Sequence, residues 1–222
     1  MYRTQDGWIE EFKMRDALWI HGGKWEDPHA LLTSGGHSSG YFNSRKLGDD
    51  LLSESVSDLM EKLLVNTPTG VFLGVQGVVG PQTGAVRLAQ LLSIEITYST
   101  GRPCFSASPA KEEKWGRKEM VFSEEHMELL SGRSILLCED VITTGGSVRL
   151  AAEAVIRAGG EVCPLVLTLV NRSGVQELDG RKIISLIDRS MPIWDPSECP
   201  LCQMKSEPVR PKDNWDLLVG RK

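Results

Sequence analysis

The run Ser134-Ile135-Leu136-Leu137-Cys138-Glu139-Asp140-Val141-Ile142-Thr143-Thr144-Gly145-Gly146-Ser147 puts two acids beside a stretch of small hydroxyl and glycine residues. Ser134 to Cys138 is a short apolar segment suited to a buried parallel strand. Glu139 and Asp140 then fall at its carboxyl end, where open α/β sheets bind ligands. Thr143, Thr144, Gly145, Gly146 and Ser147 offer hydroxyls and unobstructed backbone N–H groups to an anion. A helix starting near Ser147 adds the positive end of its dipole. Acids next to an anion cradle suit a ligand that carries both a phosphate and vicinal hydroxyls, such as a phosphorylated ribose.

Two further groups of residues could handle anions. Val78-Val79-Gly80-Pro81-Gln82-Thr83-Gly84-Ala85-Val86-Arg87 reads as a strand, a Gly-Pro turn and a helix. Such a turn can aim several N–H groups at a pyrophosphate. It is no Walker A loop, because no Gly-Lys-Ser/Thr follows, and an ordinary strand–helix connection would use the same residues. Lys111 to Glu119 carries Lys111, Lys114, Arg117 and Lys118 among acids. It reads either as a solvated loop or as a mobile cationic lid. Near the C-terminus, Cys199-Pro200-Leu201-Cys202 has the form of half a zinc site. Zinc normally takes four ligands, and there is no second CxxC. The remaining cysteines, Cys104, Cys138 and Cys163, and the four histidines lack zinc-like spacing. The pair is therefore read as two reduced structural thiols rather than a metal site.

These groups need a scaffold. Trp8 to Ile20 reads as a helix, His29 to Leu32 as a short strand, and Thr33 to Asn43 as a loop. Asp49 to Val65 is an amphipathic helix, with Leu52, Val56, Leu59 and Leu63 on one side and Pro68 beyond its end. Strand, turn and helix follow across Val71 to Leu92, and Glu95 to Tyr98 reads as a strand. Gly101 to Glu125 is polar and poorly periodic. A helix from Ser147 to Ala158 stops at Gly159-Gly160. The strands Val162 to Val170, interrupted early by Pro164, and Lys182 to Ile187 complete the pattern. Alternating strands and helices imply an α/β fold around a mainly parallel sheet.

Composition sets the outer bounds. The chain has 222 residues and 41% hydrophobic residues, enough for a sizeable core. A net charge of −5 argues against a nucleic-acid-binding surface. A polyanionic substrate must then be held locally, by backbone N–H groups, a few cations and Mg²⁺. No apolar stretch reaches membrane-spanning length, and the first residues lack the apolar run of a signal peptide. Five cysteines, an odd set, favour reduced thiols and a cytoplasmic setting.

Glu139 to Ser147 closely resembles the phosphoribosyl pyrophosphate (PRPP) motif of type I phosphoribosyltransferases. The resemblance implies that family's fold, with a mainly parallel sheet flanked by helices and a small hood. Residues 1–48 would supply an N-terminal helix and part of the hood, 49–190 the PRPP-binding core, and 191–222 a tail. It implies that Glu139 and Asp140 contact the ribose hydroxyls, with Asp140 also catalytic and Mg²⁺ held nearby through the substrate. Val141, Ile142, Thr143, Thr144, Gly145, Gly146 and Ser147 would wrap the 5-phosphate. Gly80, Pro81, Gln82, Thr83 and Gly84 resemble the family's pyrophosphate loop. Lys111 to Glu119 stands where the family carries its lid, and Lys111 and Lys114 are its catalytic candidates.

The segment Leu32 to Asn43 is similar to the hood of orotate phosphoribosyltransferases. Asn171-Arg172 resembles the Asp-Arg that closes the corresponding strand there. The implied base site is Thr143, Arg172, His37, Tyr41 and Phe42, with Arg172 on the orotate carboxylate through its planar fork. Two departures stand out: the lid lacks that group's histidine, since His126 lies later, and Asn171 replaces an acid. The implied reaction transfers phosphoribose from PRPP to a base, most closely orotate, in a homodimer. Two rivals remain: a purine or xanthine phosphoribosyltransferase, and a non-catalytic PRPP-sensing regulator.

Overall fold

A computed structural model describes residues 3–114 and 116–220, with the side chain at position 114 also outside the described part. The chain opens with α1 (Gln5–Met14), followed by the short strands β1 (Leu18–Ile20), β2 (His29–Leu31), β3 (His37–Ser38) and β4 (Gly40–Phe42). Next come α2 (Asp49–Asn66), α3 (Thr69–Gly74), β5 (Gly77–Val79), α4 (Val86–Thr100) and β6 (Phe105–Ala107). A hairpin of β7 (Ala110–Lys114) and β8 (Arg117–Val121) precedes α5 (Glu124–Leu130), β9 (Ser134–Ile142) and α6 (Gly146–Arg157). The strands β10 (Glu161–Asn171), β11 (Glu177–Leu178) and β12 (Arg181–Asp188) lead into a tail of α7 (Pro200–Gln203), β13 (Pro208–Val209) and α8 (Trp215–Leu218).

The central sheet has the order β11-β12-β10-β9-β5-β6, parallel throughout except for the edge strand β11. Its central strands β5, β9 and β10 are buried on both faces along most of their length. Leu136 and Cys138 pack under α1, α2 and α4. Ile135 and Leu137 pack against α5, α6 and Met120. This two-sided burial explains their unbroken apolar sequence. The chain leaves β5 toward β6 on one side and β9 toward β10 on the other, so β5 and β9 flank the switch point of the sheet. Pro164 accounts for the register shift between β9 and β10 at Val162/Val166, because it cannot donate to the ladder.

Three local readings are corrected. Helix α1 ends at Met14, because Asp16 adopts a left-handed φ of 50°, and Leu18–Ile20 pairs with β4 instead. Glu95 to Tyr98 is the last part of α4, not a strand. Leu88, Leu92 and Ile96 form a buried stripe at helical spacing, and this outweighs the β-propensity of Ile96, Thr97 and Tyr98. Gly101, at φ 66°, then ends the helix. The polar stretch 101–125 is not irregular: it holds β6, the β7–β8 hairpin and the start of α5. Its short strands were hidden by charged exposed faces, while Met120 and Phe122 anchor it in the core.

The hood is built from both ends of the chain. Strand β13 of the tail pairs with β2, which pairs with β3. Trp19, Ala30, Leu32, Val209, Trp215 and Leu218 form their own apolar cluster there. Helix α1 instead joins the main core through Trp8, Ile9 and Phe12. No helix of the described residues is long and apolar enough to cross a membrane.

Candidate active site

The loops after β5 and β9 face each other at the switch point, and the hood covers them. Between them lies a cavity of about 180 Å³ whose walls include Ser44, Thr83, Gly84, Glu139, Asp140 and Arg172. A second cavity of about 470 Å³ adjoins it along Thr143 to Ser147 and under Lys111.

Strand β9 runs on past the acids to Ile142, so the sheet itself fixes Glu139 and Asp140. Burial and then the neighbouring Asp140 charge push the Glu139 carboxyl well above its usual pKa, while Lys111 pulls weakly the other way. Asp140 is tied down on both oxygens: Ser44 Oγ donates to Oδ2, and the Val141 N–H donates to Oδ1 at 2.9 Å. Gly84 lies directly against the same carboxylate. The arrangement concentrates negative charge in a place that is costly for it unless a cation or hydroxyl donors arrive.

The anion side is built from backbone. Gly145 caps α6 at φ 77°, and no side chain caps the helix, so its first N–H groups stay open to a ligand. A Cβ on Gly145 would also stand 2.7 Å from Leu178, so glycine is required there twice over. Lys111 Nζ donates to Ser147 Oγ at 3.0 Å, which sets a cation over the loop. Across the cavity, the Gly80 and Gln82 N–H groups bond the Ala107 and Pro109 carbonyls, leaving the Thr83–Gly84 end of that loop on the cavity wall. The Gln82–Thr83 peptide is cis, and Arg45 donates to Thr83 Oγ1 at 2.7 Å.

Arg172 enters from the end of β10 and is 1% exposed. Its Nη1 donates to the Gly40 carbonyl at 3.0 Å and its Nη2 to Ser38 Oγ at 2.6 Å, while Nε is buried without a protein partner. Burial lowers its pKa to about 10, with Tyr41 opposing, so it is still a cation at neutral pH.

A family model for the phosphoribosyl transferase domain matches residues 57–195, which include both loops, both acids and Arg172. The chain belongs to that family. It is 30% identical to an orotate phosphoribosyltransferase of Acidithiobacillus ferrooxidans, over 94% of this chain and 96% of that one. It is 34% identical to an orotate phosphoribosyltransferase of Desulforamulus reducens, over 82% of this chain and 87% of the relative. Among solved structures, the orotate phosphoribosyltransferase of Aeropyrum pernix superposes with a TM-score of 0.55 at 21% identity, covering 82% of this chain and 93% of that one. That likeness shows the shared fold.

Most of the residues singled out in the sequence of this phosphoribosyltransferase meet at one place. Gln82, Thr83, Gly84, Lys111, Glu139, Asp140, Val141, Thr143, Ser147, Tyr41, Phe42 and Arg172 line the first cavity. Ile142, Thr144, Gly145 and Gly146 line the second. Gly80 and Pro81 are buried behind their loop and shape it. Phe42, though on the wall, is chiefly a core residue, edge-on to Phe12 with ring centroids 5.3 Å apart. The Lys114 side chain lies outside the described residues.

His37 is corrected. Its ring does not line the first cavity; Nδ1 sits 3.0 Å from His29 Nε2 and 3.2 Å from Cys202 Sγ. Strand alternation decides this: Ser38 faces Arg172, so its neighbour His37 faces the other way. The spacing argument against a metal at Cys199 and Cys202 also fails, because the two histidines that join them come from the other end of the chain. Sequence reasoning assigned no role to Ser44 and Arg45, which brace Asp140 and Thr83, or to Lys212, which the tail brings to the cavity. Thr33 and Ser34, on the walls of both cavities, sat unassigned within the hood motif. Lys212 gave no signal at all, since only the β13–β2 pairing carries it there.

Proposed function

We propose that this chain is an orotate phosphoribosyltransferase that forms orotidine 5′-monophosphate and pyrophosphate. The carrying observation is Arg172, a buried cation on the wall of the cavity that holds the acids and the phosphate loop, with Nε lacking any protein partner. A carboxylate satisfies that donor and also neutralises the cation, whereas an uncharged purine edge can accept the bond but brings no charge. The similarity to relatives named orotate phosphoribosyltransferase supports the same reading.

In the proposed reaction a ring nitrogen of orotate bonds to C1 of the ribose as the C1–oxygen bond to pyrophosphate breaks. The bonding pair leaves with pyrophosphate, and the proton on the attacking ring nitrogen is released to the pyrophosphate oxygens. Glu139 and Asp140 hold the ribose hydroxyls, and the N-terminus of α6 with Thr143 to Ser147 holds the 5-phosphate. Thr83 and Gly84 receive the pyrophosphate, and Lys111 stabilises its growing charge. Closure of the β7–β8 hairpin excludes water from an oxocarbenium-like centre. No side-chain nucleophile is required; positioning and charge stabilisation carry the rate.

Buried Glu139 and half-buried Asp140 offer hard oxygen donors that fit Mg²⁺ held together with the substrate, and the cation would favour the charged form of Glu139. Bound there, Mg²⁺ would neutralise phosphate charge on the leaving group. A homodimer in the cytoplasm completes the proposal, on the strength of the family resemblance and the unpaired cysteines.

The deciding experiment is PRPP- and Mg²⁺-dependent pyrophosphate release with a panel of bases. Orotate alone should support turnover. Use of hypoxanthine, guanine or xanthine in its place would make the chain a purine enzyme, and PRPP binding without turnover on any base would make it a sensor.

A further inference from the structure

Behind the hood, on the side of β2 and β3 away from Arg172, four side chains converge: His29, His37, Cys199 and Cys202. Their candidate ligand atoms all lie within 4.8 Å of one another. His29 Nε2 is 3.0 Å from His37 Nδ1, 3.5 Å from Cys202 Sγ and 3.7 Å from Cys199 Sγ, and His37 Nδ1 is 3.2 Å from Cys202 Sγ. A tetrahedral zinc ion with its usual bond lengths sets nitrogen–nitrogen edges of about 3.3 Å and nitrogen–sulfur edges of about 3.5 Å. Four of the six edges, from 3.0 to 3.7 Å, thus already lie close to those of such a tetrahedron, and the other two are within 4.8 Å.

The hydrogen bonds behind the cluster fix its chemistry. Ser206 Oγ is 2.6 Å from the Asp27 carbonyl, which can only accept, so the serine proton goes there. Ser206 must then accept from His29 Nδ1, 2.9 Å away. That places the imidazole proton on Nδ1 and leaves the Nε2 lone pair facing the two sulfurs and His37. His37 is held through its backbone, which exchanges two hydrogen bonds of 2.9 Å with Trp194.

We infer that His29, His37, Cys199 and Cys202 form a closed structural zinc site that staples the N-terminal hood to the C-terminal tail. Four protein ligands leave no open position, so the ion serves structure rather than catalysis. Two thiolates balance the charge of Zn²⁺, which makes the site neutral where His29 and Cys199 are fully buried and His37 is 5% exposed. Binding releases one proton from each thiol. The ligands sit at both ends of the hood. His29 and His37 flank the 32–36 turn that presents Thr33 and Ser34 to the cavities. Beyond Cys202 the tail runs through β13 to Lys212, on the cavity wall. A zinc ion would thus set the shape of the base-side wall without touching substrate. The inference does not depend on which base the enzyme uses.

The test is metal analysis of the full chain, purified from zinc-supplemented cells and dialysed. We expect about one zinc per chain, as a single four-ligand site requires. Cys104→Ser should keep it, and Cys202→Ser and His37→Ala should lose at least nine-tenths of it. Because a ligand variant can fail to fold, a second measurement uses the wild type alone. Zinc is withdrawn with a chelator and replaced by Co²⁺, which should give visible tetrahedral bands and near-ultraviolet thiolate-to-cobalt charge transfer. Three results would overturn the site: wild type without zinc and without the cobalt charge-transfer band, full zinc in folded ligand variants, or a Cys199–Cys202 disulfide in the freshly purified, metal-free protein.

Discussion

Gly84 lies flat against the carboxylate of Asp140. A Cβ built on Gly84 would stand 2.6 Å from Asp140 Cγ and 2.8 Å from Oδ1, and closer still to Oδ2. The loop after β5 and the acid on β9 therefore share one volume, with Ser44 donating to the same carboxylate from below the hood. The residue type at position 84 is set by the acid across the cavity, not by its own backbone, since it has no positive φ.

Gly84→Ala should accordingly displace either the loop or Asp140. Misplacing a positioned group by about 1 Å can cost on the order of 100-fold in rate, and a loss of that size in kcat/KM for PRPP is expected. Circular dichroism and melting should show a folded protein, because the residue borders a cavity rather than the core. Unchanged kinetics in a folded Gly84→Ala protein would mean that the contact has no role in catalysis.

The acids carry a pH signature. Glu139 has a raised pKa in the folded chain, so the native state keeps a proton that the unfolded state releases above about 4.5. Stability attributable to Glu139 therefore falls as pH rises from that value. Glu139→Gln should melt higher than wild type at about pH 8 and converge with it at low pH. The double variant Glu139→Gln/Asp140→Asn should fold yet show no useful PRPP binding by calorimetry. Undiminished affinity would remove the acids from the ribose site.

Lys111 reaches Ser147 of its own chain at 3.0 Å. Lys111→Ala should lower kcat by about 100-fold, the scale for losing one preorganised charge-stabilising donor, with less effect on PRPP affinity. Amides of residues 112, 113 and 116–118 should exchange faster in the free protein than with PRPP, Mg²⁺ and an unreactive base analogue bound. Mixing Lys111→Ala and Asp140→Asn subunits distinguishes own-site from cross-site action: hybrids stay inactive if Lys111 serves its own site. Recovered activity would place it in the neighbouring one.

Arg172 has two tasks, gripping Gly40 and Ser38 and leaving Nε for a ligand. A charge-assisted hydrogen bond from the free Nε is worth roughly 1.5–3 kcal/mol, so Arg172→Ala should lose orotate turnover by about 10- to 100-fold. PRPP affinity should change far less. The hood should also loosen, seen as a lower melting temperature. Arg172→Lys should recover little, because a point charge cannot replace the planar fork. An Arg172→Ala enzyme that still prefers orotate over uracil would place carboxylate recognition elsewhere.

The sequence alone determined the fold class and one wall of the active site. Glu139 to Ser147 is contiguous, and a single strand–loop–helix unit sets its chemistry, so local order was enough to read it. The same holds for Gly80 to Gly84 and for α2, whose apolar stripe repeats at helical period. Tertiary structure decided whatever depends on residues far apart in the chain. Ile96 to Tyr98 has strand-like residue types, yet burial of Leu88, Leu92 and Ile96 on one face makes it helix. The charged hairpin was illegible because only Met120 and Phe122 mark its inner face. His37 was assigned to the base by its place in a motif, but the alternation that turns Ser38 to Arg172 turns His37 toward Cys202. Spacing in sequence could not reveal that His29 and His37 meet Cys199 and Cys202, or that Lys212 reaches the cavity. Those contacts exist because the tail adds a strand beside β2, and strand pairing ignores how far apart its partners lie in the chain.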